Sequence, residues 1–227
     1  MRDEVDADGK IIHKWRLTRK GAGAPFELYD VLADRKQRKN LAVGKKLRPV
    51  RKQLAADYEA WWKLVSARAD EYVRPVLGHP ADPEACLWGY DWHGDPGPWS
   101  QRLVAQGTQA NGWWPVAFAE AGTYRFDLRR WPKEIEAETT LTSAYDKPVE
   151  TGVLGKPLPI AMARIRLFQD DGTIAEETAD IAPDADGVVF EFADIPEGPC
   201  SLQTWFYDQE GNELAGAYYV YVNRTQP

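Results

Sequence analysis

Trp113-Trp114-Pro115-Val116-Ala117-Phe118-Ala119 and, just beyond Gly122, Thr123-Tyr124-Arg125-Phe126-Asp127-Leu128 decide the fold class. Both are short runs rich in aromatic and β-branched residues, bounded by turn formers, which is the pattern of strands rather than helices. Residues 161–168, 188–192, 201–207 and 216–222 have the same character, and Gly, Pro and Asp clusters separate them. With no helical pattern between them, these runs predict an antiparallel β-sandwich over 86–227.

Upstream the period changes. Ile11-Ile12-His13-Lys14-Trp15-Arg16-Leu17-Thr18 and Pro25-Phe26-Glu27-Leu28-Tyr29-Asp30, joined through Gly21-Ala22-Gly23, read as a β-hairpin. Val50, Leu54, Tyr58, Trp61 or Trp62 and Val65 then recur at helical spacing, predicting one long helix from Pro49 to about Tyr72. The expected organisation is an α+β unit of hairpin and helix over 1–73, a linker over 74–85 punctuated by Pro75, Gly78, Pro80 and Pro83, and a Trp-rich sandwich over 86–227. The whole is mainly β. A hairpin and one helix enclose little core, so the first unit is expected to pack on something larger.

Charge divides the chain in the same place. Residues 1–77 hold 18 Lys and Arg against 11 Asp and Glu, whereas 78–227 hold 10 against 24. The basic part lies on an amphipathic helix and its approach and has no nucleic-acid-binding fingerprint, so no nucleic acid partner is expected. Nor is a membrane partner, because no stretch approaches the roughly 18 apolar residues of a span. The acidic start, residues 1–8, lacks the apolar core of a signal peptide. Cys86 and Cys200 stand far apart and in no metal spacing, which leaves two buried thiols or one long-range disulfide.

Lys14-Trp15-Arg16-Leu17, Glu27-Leu28-Tyr29-Asp30, Asp34, Gln37 and Asn40-Leu41-Ala42, followed by a helix with Trp near its end, resemble the closing subdomain of arylsulfatase-type sulfatases. Asp34-Arg35-Lys36-Gln37 departs from the family's loop in lacking its Pro-Gly pair. Tyr90-Asp91-Trp92-His93, Pro98-Trp99-Ser100-Gln101, Gly122-Thr123-Tyr124-Arg125-Phe126, Leu128-Arg129-Arg130-Trp131-Pro132 and residues 216–222 are similar to a β-sandwich extension of bacterial sulfatases. The resemblance implies a non-catalytic C-terminal portion of a sulfuric ester hydrolase. Its partners would be a sulfatase catalytic domain and a sulfated carbohydrate, and its location periplasmic or exported if the parent sulfatase is.

In that family the nucleophile is a formylglycine made from a Cys/Ser-x-Pro/Ala-x-Arg motif beside a calcium ion, and neither Cys86 nor Cys200 stands in such a motif. Calcium and formylglycine are therefore expected only in a catalytic domain, with no catalytic or metal residue in this chain. Asp6-Ala7-Asp8-Gly9 and Asp184-Ala185-Asp186-Gly187 lack the later carboxylate of a calcium loop and read as turns. The histidines His13, His79 and His93 show no triad or metal spacing.

One cluster invites a ligand: Trp88, Tyr90, Asp91, Trp92, His93, Trp99 and Gln101. Flat aromatic faces with a few polar groups are what a sugar ring stacks and hydrogen-bonds upon. The alternative is that these aromatics cover the junction of helix and sandwich. Trp131 and Trp205, inside strand patterns, are expected in the core. Besides the sulfatase portion, the sequence admits a free-standing carbohydrate-binding module and a structural interaction domain.

Overall fold

The computed structural model describes residues 1–21, 23–69, 71–94, 97–135, 139–145, 152–170 and 172–226. Ala22, in the expected Gly-Ala-Gly turn, lies outside them. The chain divides into two compact units, Met1–Glu71 and Tyr72–Pro227.

In the first unit β1 (Arg2–Val5), β2 (Ile11–Thr18) and β3 (Glu27–Asp30) form an antiparallel sheet in that order. The hairpin is present, and β1 adds a strand that its charged sequence concealed. Asp6–Gly9 is a turn: the Asp6 carboxylate accepts the amides of Asp8 and Lys10 at 3.1 and 2.9 Å. Helix α1 (Arg48–Val65) carries Pro49 in its first turn and gives way to a 3-10 turn at Ser66–Arg68, so it stops short of the expected Tyr72. Asn40 ties the loop back, its Oδ1 accepting from the Leu28 and Ala42 amides at 3.1 and 2.9 Å. Trp15, Leu28, Ala42 and Leu54 are the buried core, with Leu17, Leu41, Leu47 and Val50 packed on it. Beyond Leu54 the helix has little to cover, and Trp61, Trp62, Leu64 and Val65 are exposed.

The second unit is a sandwich. One sheet runs β10 (Gly172–Asp180), β9 (Met162–Gln169), β12 (Gly198–Tyr207), β7 (Gly112–Phe118), β4 (Val76–Leu77), with β6 (His93–Gly94) also on β7 and β13 (Glu213–Ala215) on β12. The other runs β11 (Val188–Ile195), β8 (Gly122–Arg129), β14 (Tyr219–Gln226), β5 (Glu84–Trp88). Alternation turns Trp114, Val116, Phe118, Ile165, Leu167, Leu202 and Phe206 of the first sheet and Tyr124, Phe126, Leu128, Val220 and Val222 of the second into one core. Phe118 meets Tyr124 edge-on at 4.6 Å across the layers.

Among the described residues pairing is antiparallel except for β4, which lies parallel to β7. β4 and the start of β5 fall within 74–85, so that punctuated stretch contributes strands to the second unit. A proline inside a central strand removes a ladder donor. Pro115 sits where β7 has a gap, because β6 pairs only Gly112 and Trp113 while β4 pairs only Ala117 and Phe118. Trp131 is in the core as expected. Trp205 is not: Leu202, Thr204 and Phe206 take the inward positions of β12, and Trp205 lies on the outer face under the Arg164 guanidinium, 4.6 Å from the ring centre. A short helix, α2 (Gln101–Ala105), interrupts the strands.

Candidate functional site

Three of the expected aromatics meet at one groove. β5 ends at Trp88, a 3-10 turn carries Gly89–Asp91, and the loop through Pro98 and Trp99 leads into α2. Trp88 is 52%, Tyr90 65% and Trp99 66% exposed, unusual values for large aromatic side chains. With Pro98, Gln101 and Tyr219 they line a groove of about 260 Å³.

The groove is braced from below. The Trp88 carbonyl accepts a hydrogen bond from Nε1 of the buried Trp114 at 2.9 Å, and the Trp88 ring meets Tyr219 edge-on at 5.9 Å. Gly89 donates its amide to the Tyr218 carbonyl at 2.7 Å. Gly97 allows the Trp99 loop to lie against this turn, since a Cβ there would come within 1.9 Å of the Gly89 carbonyl oxygen. Gln101 Nε2 donates to the Tyr219 hydroxyl at 2.5 Å. Burial pushes the Tyr219 phenol above its ordinary value, opposed by that bond, so the hydroxyl stays neutral and able to donate.

The remaining expected residues go elsewhere. Trp92 is only 8% exposed and packs on Trp114 and Tyr218 at 5.6 and 6.0 Å, because its backbone enters β6 and turns the ring inward. His93 pairs with Trp113 across β6 and β7, and its ring clusters with those of Trp113 and Tyr72, 5.1 and 4.4 Å away, which meet each other edge-on at 5.9 Å. Asp91 is exposed and does not line the groove. Tyr219, by contrast, was missed. Its place beside Trp88 follows from the β14–β5 register, to which the aromatic run 218–221 alone gives no clue.

The outer face beside the groove carries charges that are already paired. Arg129 is held by Asp127 at 3.0 Å and Asp186 at 2.9 Å, and Lys133 by Glu84 at 2.9 Å. Cys86 and Cys200 are free thiols. A larger cavity, about 480 Å³, lies in the first unit along β2 and α1. Arg16 and Arg19 both stand on its wall, and Arg19 stacks on Phe26 and Tyr58 at 5.3 and 5.0 Å.

Among the described residues no group of His, Cys, Asp and Glu is placed to hold a metal ion, and no helix is long and apolar enough to cross a membrane. No protein-family model matches the chain, and no curated protein matches it significantly.

Proposed function

We propose that this chain is a non-catalytic accessory portion of a sulfatase-type hydrolase and that its second unit binds carbohydrate on the substrate side. The observation that carries the binding role is the exposed trio Trp88, Tyr90 and Trp99 around one groove, with Gln101 and the Tyr219 hydroxyl at its floor. A pyranose ring has apolar faces and a polar rim, so it stacks on indole while its hydroxyls meet an amide and a phenol. The sulfatase assignment rests on the order of the motifs from Lys14 to Val222, and a catalytic domain would be the partner.

A polysaccharide array probed with the purified chain tests the binding role, and an aryl sulfate assay with calcium tests the absence of turnover. Retention on at least one glycan with background sulfate release is expected. An empty array contradicts the binding role, and sustained sulfate release contradicts the non-catalytic one.

A second role in the same protein, completing a larger apolar face, is favoured by the first unit. Four residues form its buried core, while Trp61, Trp62, Leu64 and Val65 stay exposed on α1. Such a patch marks an interaction surface. An in-frame Cys/Ser-x-Pro/Ala-x-Arg motif encoded upstream would supply the domain it covers.

A further inference from the structure

On the reading that the groove binds carbohydrate, we infer that it takes an uncharged pyranose, an unsulfated residue of a polysaccharide, rather than the sulfate ester itself. Among the described residues none that lines the groove is charged. Its polar groups are the Gln101 amide, the Ser100 and tyrosine hydroxyls and backbone. A sulfate ester is a permanent anion, and seating it against indoles without a cation costs its hydration with no ion pair in return.

The surroundings point the same way. Arg129 projects from the same sheet face as Trp88 and Tyr219, since both lie in register with Tyr219. Asp127 and Asp186 neutralise it, and Lys133 is engaged by Glu84 and Asp127 while sitting 4.2 Å over the Tyr221 ring. Arg102, adjacent to Gln101 on α2, does not line the groove. Residues 72–227 hold 11 Lys and Arg against 24 Asp and Glu, a net of −13, so the long-range field repels a polyanion. A hydrolase that removes sulfate would thus be anchored by rings that carry none, either its product or the unsulfated stretches between its substrate sites.

The test compares neutral polysaccharides with their sulfated counterparts, such as dextran with dextran sulfate and agarose with carrageenan, by affinity electrophoresis on the full chain. Neutral polymers are expected to bind at least about tenfold more tightly, a preference that attraction of the sulfates to a cation in the site would reverse. That binding should change less than about twofold between about 0.05 and about 0.5 M salt. Trp99→Ala should weaken it by about tenfold or more. Gln101→Arg, which places a cation in the groove, should shift the ratio toward the sulfated polymer by about tenfold.

Equal or tighter binding of the sulfated polymer, lost with salt, would overturn the inference while leaving carbohydrate binding intact. Neutral binding that Trp99→Ala leaves unchanged would place the site elsewhere and overturn it as well. Failure of every polymer would remove the carbohydrate reading and this inference with it.

Discussion

Nε1 of Trp114 donates to the backbone carbonyl of Trp88 at 2.9 Å, so a fully buried indole holds the strand end that presents an exposed one. Trp114→Phe keeps most of the apolar volume but leaves that carbonyl without its donor. We expect a loss of about 1–2 kcal/mol in urea unfolding, together with weaker glycan binding, since the rim is no longer fixed. Unchanged stability and affinity would show that the rim needs no such anchor.

Arg130 is a second brace. It is fully buried, with no carboxylate beside it among the described residues; Nη1 donates to the Ser143 carbonyl at 2.9 Å, Nη2 to that of Lys156 at 2.5 Å, and the guanidinium lies 4.6 Å over Trp131. Burial lowers its pKa to about 10, which still leaves it protonated at neutral pH. Arg130→Lys offers one compact ammonium where a planar fork bridged two loops, and should cost about 3 kcal/mol in thermal or urea unfolding. A lysine variant as stable as the parent would mean that charge alone suffices.

In the first unit His13 Nδ1 meets Asp30 Oδ2 at 2.6 Å, and Asp30 Oδ1 accepts the Lys14 and Leu32 amides at 3.1 Å each. Burial pushes the Asp30 carboxyl up, and these hydrogen bonds outweigh it, leaving the value below the ordinary 3.8. A carboxyl depressed on folding stabilises fully above 3.8 and stops doing so as pH falls through its lower folded value. Asp30→Asn should therefore be less stable than the parent at neutral pH, with the gap closing below 3.8. Denaturant midpoints measured across pH check this, and a gap of constant size would refute it.

Burial raises both thiols, Cys86 and Cys200, to about 11. On the order of one thiol in a thousand is then ionised at pH 8, and thiolate is the reactive form. Iodoacetamide should label the native chain slowly, Cys86 ahead of the more deeply buried Cys200, and both quickly in urea. Rapid native labelling of Cys200 would contradict its packing.

The parts of the fold legible in the sequence are those whose apolar alternation faces a core. Strands β7, β8, β9, β11 and β12 have it. β10 does not, because it is an exposed edge whose side chains are satisfied by ion pairs such as Glu176 with Arg164. β4 and β6 are too short to show a period, and each exists only because β7 offers it a free edge. The aromatic cluster was likewise visible as a stretch of chain, but its division was not. Alternation along β5 turns Trp88 outward and the Gly89–Asp91 turn leaves Tyr90 exposed, whereas Trp92 packs into the core and β6 pairing sets His93 beside Trp113 on the outer face, and local sequence encodes none of these choices.

The central claim, that Trp88 and Trp99 form a carbohydrate-stacking groove, is tested most directly by titrating intrinsic tryptophan fluorescence with a polysaccharide selected on the array. The parent chain and Trp61→Ala, whose substitution lies in the first unit, should show the same saturable quenching. Trp88→Ala and Trp99→Ala should each weaken binding by about tenfold or more, the loss expected of a central aromatic contact. Identical titrations for all four chains would contradict the account.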